Sequence, residues 1–449
     1  MALIGMRSRL LDRVVRLSPP MLLVALYLCV IVLGAGLLAL PISQSGGVGL
    51  YDALFTSTSA VTVTGLVVVS TGQDFTFFGQ LVIALLIQFG GLGLMTFAVF
   101  VLSAIGVKVG LGQRLVLRED LNQSSFGDLL RLVRVILVVS LSCEALGALL
   151  LMTVFVPEMG WAQGGWYAVF HAVSAFNNAG FGLDDGSLMP WVGNPVINLV
   201  IPLLFILGGL GFVVLADLYE ARRWRALTLH SKIMLYGTLC LILAAWALFA
   251  ALEWRNPATL GGLEGTGAKI LASWFQAVTP RTAGFNTLDT AGMENATTLM
   301  TMTLMLVGGG STSTAGGIKV TTAIVLVLAT IAFFRKSTEL HAFGRSLGLE
   351  EVMKVLALTT VSILIVFLAL FLVSITYEGS FISLAFEVVS AFGTVGLSLG
   401  ATGELDALGR AVIMVVMFLG RVGPLTLGFF LATHSAVRVR YPKGRIYLG

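Results

Sequence analysis

The chain has 449 residues, of which 57% are hydrophobic and only 11% are charged, and its mean hydropathy is +0.97. The polar residues are too few to cover a soluble globule of this length, so the composition indicates an integral membrane protein. The net charge of +4 is modest, and the placement of the charges matters more than their sum. Neither a disulfide framework nor a paired-cysteine metal site is predicted, because Cys29, Cys143 and Cys240 all lie inside apolar segments.

Eight segments are apolar over the length of about 20 residues that a helix needs to cross a membrane. They cover residues 20–42, 78–103, 130–156, 195–217, 231–253, 297–334, 353–377 and 408–434. Between the two spans of each pair lies a shorter apolar stretch of about 12 residues, which is too short to cross. The pattern predicts a helix that enters the membrane and turns back, four times along the chain.

These four short stretches end in the same way. The sequences are ALFTSTSAVTVTGL at 53–66, AVFHAVSAFNNAGF at 168–181, ASWFQAVTPRTAGF at 272–285 and LAFEVVSAFGTVGL at 384–397. Each contains a glycine with an aromatic residue ten positions before it, in the pairs Phe55 and Gly65, Phe170 and Gly180, Trp274 and Gly284, and Phe386 and Gly396. The period is far longer than that of solenoid repeats and close to one membrane module.

The fold class we predict is an all-α integral membrane protein. Its eight transmembrane helices form four modules of outer helix, pore half-helix and inner helix, arranged as a pseudo-tetramer around one pore. The modules are predicted at 1–104, 105–220, 221–336 and 337–449. The third module has a broken inner helix, and the fourth carries a basic C-terminal tail.

Most of the 27 lysines and arginines fall on one side of the predicted spans. They are concentrated before the first span and at 108–134, 222–232, 335–354 and 438–445. By the positive-inside rule this side is the cytoplasm, which predicts a multi-pass protein of the plasma (inner) membrane with both termini inside the cell. The opposite segments carry more carboxylates, including Glu253 and Glu387, than basic residues such as Arg281. This excess would attract cations to the pore mouth, although a merely solvated acidic surface is the alternative.

The four glycines predict a cation filter. Non-helical backbone inside a membrane persists only where it is buried in protein or lines water. Glycine lets main-chain carbonyls turn toward a shared axis, where a ring of oxygens replaces the hydration shell of a monovalent cation. The half-helices add the negative ends of their dipoles. The predicted filter consists of Val63, Thr64, Gly65, Asn178, Ala179, Gly180, Thr282, Ala283, Gly284, Thr394, Val395 and Gly396.

A break in the third inner helix predicts a gate. As one straight helix, residues 297–334 would be about 57 Å long, whereas the hydrocarbon core is roughly 30 Å thick. The sequence GGGSTSTAGGIK at 308–319 breaks it, and a loop of this polarity has to face water. The predicted gate comprises Gly308, Gly309, Gly310, Ser311, Thr312, Ser313, Thr314, Ala315, Gly316, Gly317, Lys319 and Arg421.

Two of these gate residues are charged. Arg421 lies in the fourth inner helix, where insertion of an arginine costs about 2.5 to 3.5 kcal/mol, so it should face the pore or a partner. It either closes the pore together with the loop or forms an ion pair with the buried Glu144. Lys319 either lines the inner cavity or reaches toward the cytoplasm.

The chain resembles the Trk/Ktr/HKT potassium-transporter superfamily over almost its whole length. The resemblance is carried by the four modules, the filter segments TVTGL, NNAGF, RTAGF and GTVGL, the GGGSTSTAGGIK break and the arginine of the fourth inner helix. With eight spans, the chain is most similar to the Ktr-type membrane subunits. The resemblance implies a homodimeric potassium-uptake subunit with K+ at the filter, Na+ as a possible second ion, and no covalent cofactor.

The resemblance also implies partners and selectivity. A cytosolic KtrA-like ring would bind nucleotide on behalf of the complex, the basic face would meet membrane lipids, and no nucleic acid is expected. In related plant transporters a serine at the first filter glycine goes with sodium transport. This chain has Gly65 there, which favours potassium.

Two other classes of protein remain open. A secondary cation symporter would alternate access around a broken-helix site, but such sites use inverted repeats, whereas these repeats are parallel. A membrane scaffold without ion flux is the other alternative. No catalytic constellation is present, because His171, His230, His341 and His434 are scattered, so we do not predict an enzyme.

Overall fold

The computed structural model describes residues 19–93, 129–221, 223–336 and 340–423. Its first half contains helices α1 Pro19–Leu38, α2 Leu50–Val61, α3 Phe77–Leu92, α4 Leu129–Phe176, α5 Pro195–Leu210 and α6 Phe212–Ala221. The second half contains α7 Leu229–Glu253, α8 Thr266–Val278, α9 Asn295–Leu306, α10 Val320–Phe334, α11 Leu349–Ser374, α12 Phe381–Gly393, α13 Ala401–Glu404 and α14 Ala407–Val422. A short antiparallel hairpin, β1 Leu340–Ala342 and β2 Arg345–Leu347, connects α10 to α11.

Helix α4 is two helices that meet at a kink. Pro157 lies near the kink, and Gly160 has a φ of 80°, outside the helical region. The part before the kink matches the predicted span 130–156, and the part after it matches the second half-helix. Inside that half-helix His171 is fully buried and stacks on Tyr167, so it packs within the core.

Three of the described helices are long and apolar enough to cross a membrane: Val133–Phe176, Leu229–Glu253 and Leu349–Ser374. The pair Pro195–Leu210 and Phe212–Ala221 makes a fourth if it is counted as one span, although it bends by 91°. The other apolar helices are shorter: Leu23–Leu38, Phe77–Leu92, Val320–Phe334 and Phe381–Gly393. The predicted spans 78–103 and 408–434 extend beyond the described residues. The basic residues before the first span, most of the segment 108–134 and the basic tail at 438–445 lie outside the described residues.

The inner helices break more often than we predict from the sequence. The sequence predicts a break in the third inner helix only. In the structure α3, α5 and α14 also each stop at a glycine with positive φ: Gly93 at 85°, Gly211 at 100° and Gly423 at 88°. A residue with a side chain seldom adopts this conformation, so the glycine ends the helix. The prediction of an uninterrupted span 195–217 is therefore wrong.

Other glycines of the inner helices lie against the ends of the half-helices. A Cβ on Gly90, Gly208 or Gly420 would lie closer than 3.0 Å to a backbone carbonyl oxygen, that of Val61, Phe176 or Phe392, respectively. These glycines therefore serve close packing of the inner helices on the half-helices. The half-helices can approach this closely only because these positions carry no side chain.

The first and fourth repeats meet at one surface. Tyr51 on α2 donates its hydroxyl proton to the Ala407 carbonyl at 2.5 Å, and Arg410 on α14 forms an ion pair with Asp52 at 3.0 Å. Helix α14 also packs on α2. These contacts join the first repeat to the fourth.

Two charges that the sequence analysis assigns to the external surface are buried. Glu253 is 0% exposed and accepts hydrogen bonds from Asn256 Nδ2, Thr259 Oγ1 and the Glu294 amide. Arg281 is 7% exposed, and its Nη2 lies 3.4 Å from Thr238 Oγ1. Neither group is available to the solvent, and because one is acidic and the other basic, their burial leaves the predicted excess of external carboxylates unchanged.

Candidate ion filter and gate

The four predicted filter segments share an uncommon backbone conformation. The first residue of each has positive φ: Val63 at 56°, Asn178 at 58°, Thr282 at 68° and Thr394 at 50°. The glycine two residues later is also positive, with Gly65 at 92°, Gly180 at 68°, Gly284 at 79° and Gly396 at 93°. Positive φ costs energy, above all for β-branched valine and threonine, so it persists only where surrounding contacts enforce it.

The four glycines form a closed ring. A Cβ on Gly65 would collide with the carbonyl oxygen of Ala179, one on Gly180 with Ala283, one on Gly284 with Val395, and one on Gly396 with Thr64, each at less than 3.0 Å. Each repeat therefore packs backbone against backbone on the next repeat, and the fourth packs on the first. The structure brings the predicted filter segments together in chain order.

Serines of the half-helices hold two of the ring glycines. Ser59 Oγ accepts from the Gly65 amide at 3.0 Å, and Ser390 Oγ accepts from the Gly396 amide at 3.1 Å. The second repeat has Ser174 at the same position, but its hydroxyl has no hydrogen-bond partner among the described residues. The third repeat has Val278 instead. These serines are not among the predicted filter residues, although the sequence carries a signal for them, a serine six residues before the glycine in three repeats.

Glu387 holds the chain that leaves the fourth filter segment. It lies within α12, is 0% exposed, and accepts hydrogen bonds from Ser398 Oγ at 2.6 Å, from the Leu399 amide at 2.9 Å and from the Thr402 hydroxyl. We predict an external, cation-attracting role for it from the sequence, and that is wrong. The carboxylate is instead buried, and its hydrogen bonds hold residues 398–402, which follow the fourth predicted filter segment.

We expect Glu387→Gln to lower the free energy of unfolding by about 1–3 kcal/mol, because the amide has one acceptor oxygen instead of two and leaves a buried donor without a partner. Thermal unfolding in detergent measures this change. The matched control is Glu404→Gln, because Glu404 is exposed and lies two residues after Thr402. Equal melting temperatures for both variants would contradict the assigned role.

The predicted gate loop lies in the interior, against residues of the predicted filter segments. Its ends lie side by side, since the Gly308 amide donates to the Ile318 carbonyl at 2.8 Å and the Ile318 amide to the Leu306 carbonyl at 3.2 Å. Its middle is bound to α5 through the Gly310 amide, which donates to the Gly209 carbonyl at 2.7 Å. The hydroxyls of Thr312 and Ser313 bond to carbonyls of the loop itself, Ser311 and Gly310.

Arg421 binds backbone carbonyls on two sides. Its Nη1 donates to the Thr314 carbonyl of the loop, and its Nη2 donates to the carbonyls of Gly90 and Gly91 on α3, the latter at 3.1 Å. The loop contact is the one that the gate prediction requires. It is made through a carbonyl, and none of the loop hydroxyls takes part.

Arg421 and Glu144, both among the described residues, do not form the alternative ion pair. Glu144 Oε1 accepts instead from Gln88 Nε2 at 3.0 Å and from Asn177 Nδ2 at 3.1 Å. Two neutral amides satisfy the carboxylate, so the arginine is left to the carbonyls.

Lys319 is bonded within the loop. Its Nζ donates to the Ala315 carbonyl at 2.7 Å, so the side chain folds back. Its two predicted courses, along the inner cavity or toward the cytoplasm, stay predictions. The ammonium group thus helps to hold the shape of the loop.

The chain matches a known family of membrane proteins along most of its length. The profile of the TrkH family, described as cation transport proteins, matches twice, over residues 21–236 and 221–436. The chain is 48% identical to Ktr system potassium uptake protein B of Bacillus subtilis, over 97% of this chain and 98% of that protein. It is 43% identical to the protein of the same name in Vibrio alginolyticus, over 96% and 95% of the two chains. It is 40% identical to the potassium/sodium uptake protein NtpJ of Enterococcus hirae, over 97% and 98%.

A solved structure has the same fold. The crystal structure of the potassium transporter TrkH from Vibrio parahaemolyticus aligns with a TM-score of 0.72, covering 93% of this chain and 86% of that chain. The two sequences are 19% identical in this alignment. The arrangement of helices is therefore shared, although most side chains differ.

Proposed function

The chain belongs to the TrkH family of cation transport proteins, and on that basis we propose that it is the pore-forming subunit of a potassium-uptake system. The names of its relatives support potassium as the ion that crosses, and one of them adds sodium. No covalent cofactor takes part in this function, and the chain is not an enzyme. Its place is the cell membrane.

The observation that carries the proposal is the closed ring of four glycines. Backbone segments that meet this closely in the interior of a membrane protein have to line a water-filled path or be buried in protein. Four of them, related by one repeat, supply carbonyl oxygens from four directions, which suits a monovalent cation that has lost its water. The half-helices α2, α8 and α12 and the end of α4 all stop at this ring, so their negative dipole ends face the ion.

The module organisation is part of the proposal. The divisions at 1–104, 105–220, 221–336 and 337–449 place one half-helix and one ring glycine in each unit. The eight spans and the pseudo-tetramer around a single pore follow from this division. The double match of one family profile to two halves of the chain supports an internal repeat.

We expect serine at Gly65, Gly180, Gly284 or Gly396 to lower the ratio of potassium to sodium uptake by about tenfold or more, because a side chain would occupy the space of a neighbouring carbonyl and distort the ring. Uptake into proteoliposomes measures the ratio. Gly403→Ser is the control, since nothing lies within 4 Å of its Cβ position. Unchanged ratios in all four filter variants, with protein that remains folded, would refute the filter assignment.

The loop at 308–317 and Arg421 form the proposed gate. The arginine binds the loop on one side and α3 on the other, so it holds the loop across the path below the ring. Opening requires that these bonds break. The lower helix α10 begins directly after the loop, and a partner that moves α10 would pull on the loop.

We expect Arg421→Ala to raise potassium uptake in the resting state several-fold, because the loop loses its attachment to α14. Arg410→Ala is the matched control on the same helix, since its partly exposed ion pair contributes only about 0–1 kcal/mol. Potassium uptake by proteoliposomes without any activating partner is the measurement. Wild-type uptake by a folded Arg421→Ala protein would place the gate elsewhere.

The partners belong to the proposal as well. Two relatives carry the words Ktr system in their names, which fits a subunit of a larger assembly. We propose a homodimer whose basic cytoplasmic face contacts lipid and docks a KtrA-like nucleotide-binding ring. The positive-inside rule predicts that both chain termini lie on this face. Arg223 and Arg225 are exposed there, at the turn that precedes α7.

Charge reversal at Arg223 and Arg225 should weaken co-purification of the regulatory ring. The effect should be larger at low salt, because at high salt the ions screen the attraction between the two surfaces in every variant. Arg255→Glu serves as the control, since this exposed arginine lies on the face that we assign to the outside. A ring that is retained equally by all variants at every ionic strength would argue against docking at this surface.

A further inference from the structure

Thr314 is the point at which the gate loop meets the second filter segment and two inner helices. Its amide donates to the Gly208 carbonyl of α5 at 3.3 Å, and its carbonyl accepts from Arg421 of α14. Its hydroxyl donates to Asn178 Oδ1 at 2.8 Å. Thr314 and Asn178 are each 1% exposed, so water does not compete for this last bond.

Asn178 also bonds to the third filter segment. Its Nδ2 donates to Thr282 Oγ1 at 3.2 Å, and Thr282 is fully buried. Asn178 and Thr282 are the positive-φ residues that open the second and third filter segments. Because its amide is bonded through both Oδ1 and Nδ2, Asn178 restrains two backbone segments. The conformation of these segments is costly and depends on surrounding contacts.

The neighbouring helix leaves room for this chain of hydrogen bonds. A Cβ on Gly208 would lie 2.9 Å from Thr314 Oγ1 and 3.0 Å from Asn178 Oδ1. Any side chain at this position would therefore separate the two groups. The absence of a side chain at Gly208 leaves the space in which Thr314 and Asn178 bond.

We propose that Thr314 is a positioning residue of the selectivity filter that the gate loop itself supplies. When the loop leaves the path, its hydroxyl leaves with it, and the second and third filter segments lose a restraint. This inference rests on the proposed function and deepens it, because gate and filter become one coupled device. Ion discrimination then depends on the position of the loop.

Thr314→Val tests the proposal, because it removes the hydroxyl while keeping the side-chain shape and the carbonyl that binds Arg421. We expect the ratio of potassium to sodium uptake in proteoliposomes to fall about tenfold, the change that ~1.4 kcal/mol corresponds to. Thr314→Ser keeps the hydroxyl and should restore most of the ratio. Thr330→Val, on α10, is the matched control, since its hydroxyl donates to the Leu326 carbonyl of its own helix.

A double-mutant cycle with Asn178→Ala separates coupling from two independent effects. If the two side chains act through their hydrogen bond, the double variant discriminates no worse than Asn178→Ala alone. Independent effects would multiply, and that result would overturn the proposal. A wild-type ratio in folded Thr314→Val protein would overturn it as well.

Two further outcomes are informative. If Thr314→Val does not fold, Thr282→Val breaks the other end of the same chain of bonds and should lower the ratio in the same direction; a wild-type ratio there would overturn the proposal. If the wild-type protein takes up neither ion, or does not distinguish them, the proposed function itself fails. The two failures are thus distinct.

Discussion

Four backbone segments meet in this protein at a distance that leaves no room for a side chain. The ring glycines lie against carbonyls of neighbouring repeats, and this contact sets requirements elsewhere. The half-helices have to end close to one another, so the inner helices behind them also need glycines where they cross the half-helix ends, at Gly90, Gly208 and Gly420. The ring itself is therefore built from backbone against backbone.

The repeats and their glycines could be predicted from the sequence, because a glycine that recurs at the same point of four segments indicates one backbone requirement shared by all four. The conformation of Val63 and Thr282 could not. Both are β-branched, and local preference argues against positive φ at such residues. Contacts from other repeats impose it, and a single sequence does not display those contacts. The glycine breaks that end α3 and α5 were missed because the hydropathy continues beyond them.

Charged residues were the least predictable part of the site. Glu253 ends a predicted span and Glu387 lies between two predicted spans, positions where a carboxylate normally faces water. In the structure, hydroxyls and amides that are several residues away along the chain enclose each of them. Arg421 was predictable as a residue in need of acceptors, since an arginine inside a membrane helix is costly. Its contact with the loop was one of the two predicted alternatives. Its contacts with the Gly90 and Gly91 carbonyls of α3 were not predicted, because a carbonyl that accepts a hydrogen bond leaves no mark on the sequence.

The position of Arg421 has a consequence for the number of charges in the path. A pore built from four identical chains repeats every substitution four times, so an arginine at this level would bring a charge of about +4 close to the passing ion. Repulsion grows with each added charge, and in a partly dehydrated interior it is strong. A ring written in one chain can carry a single guanidinium, with uncharged Gly91, Gly209 and Gly309 at the corresponding points of the other repeats. In the proposed pore, this one guanidinium holds the loop, whereas a pore of four identical chains could not contain only one such charge.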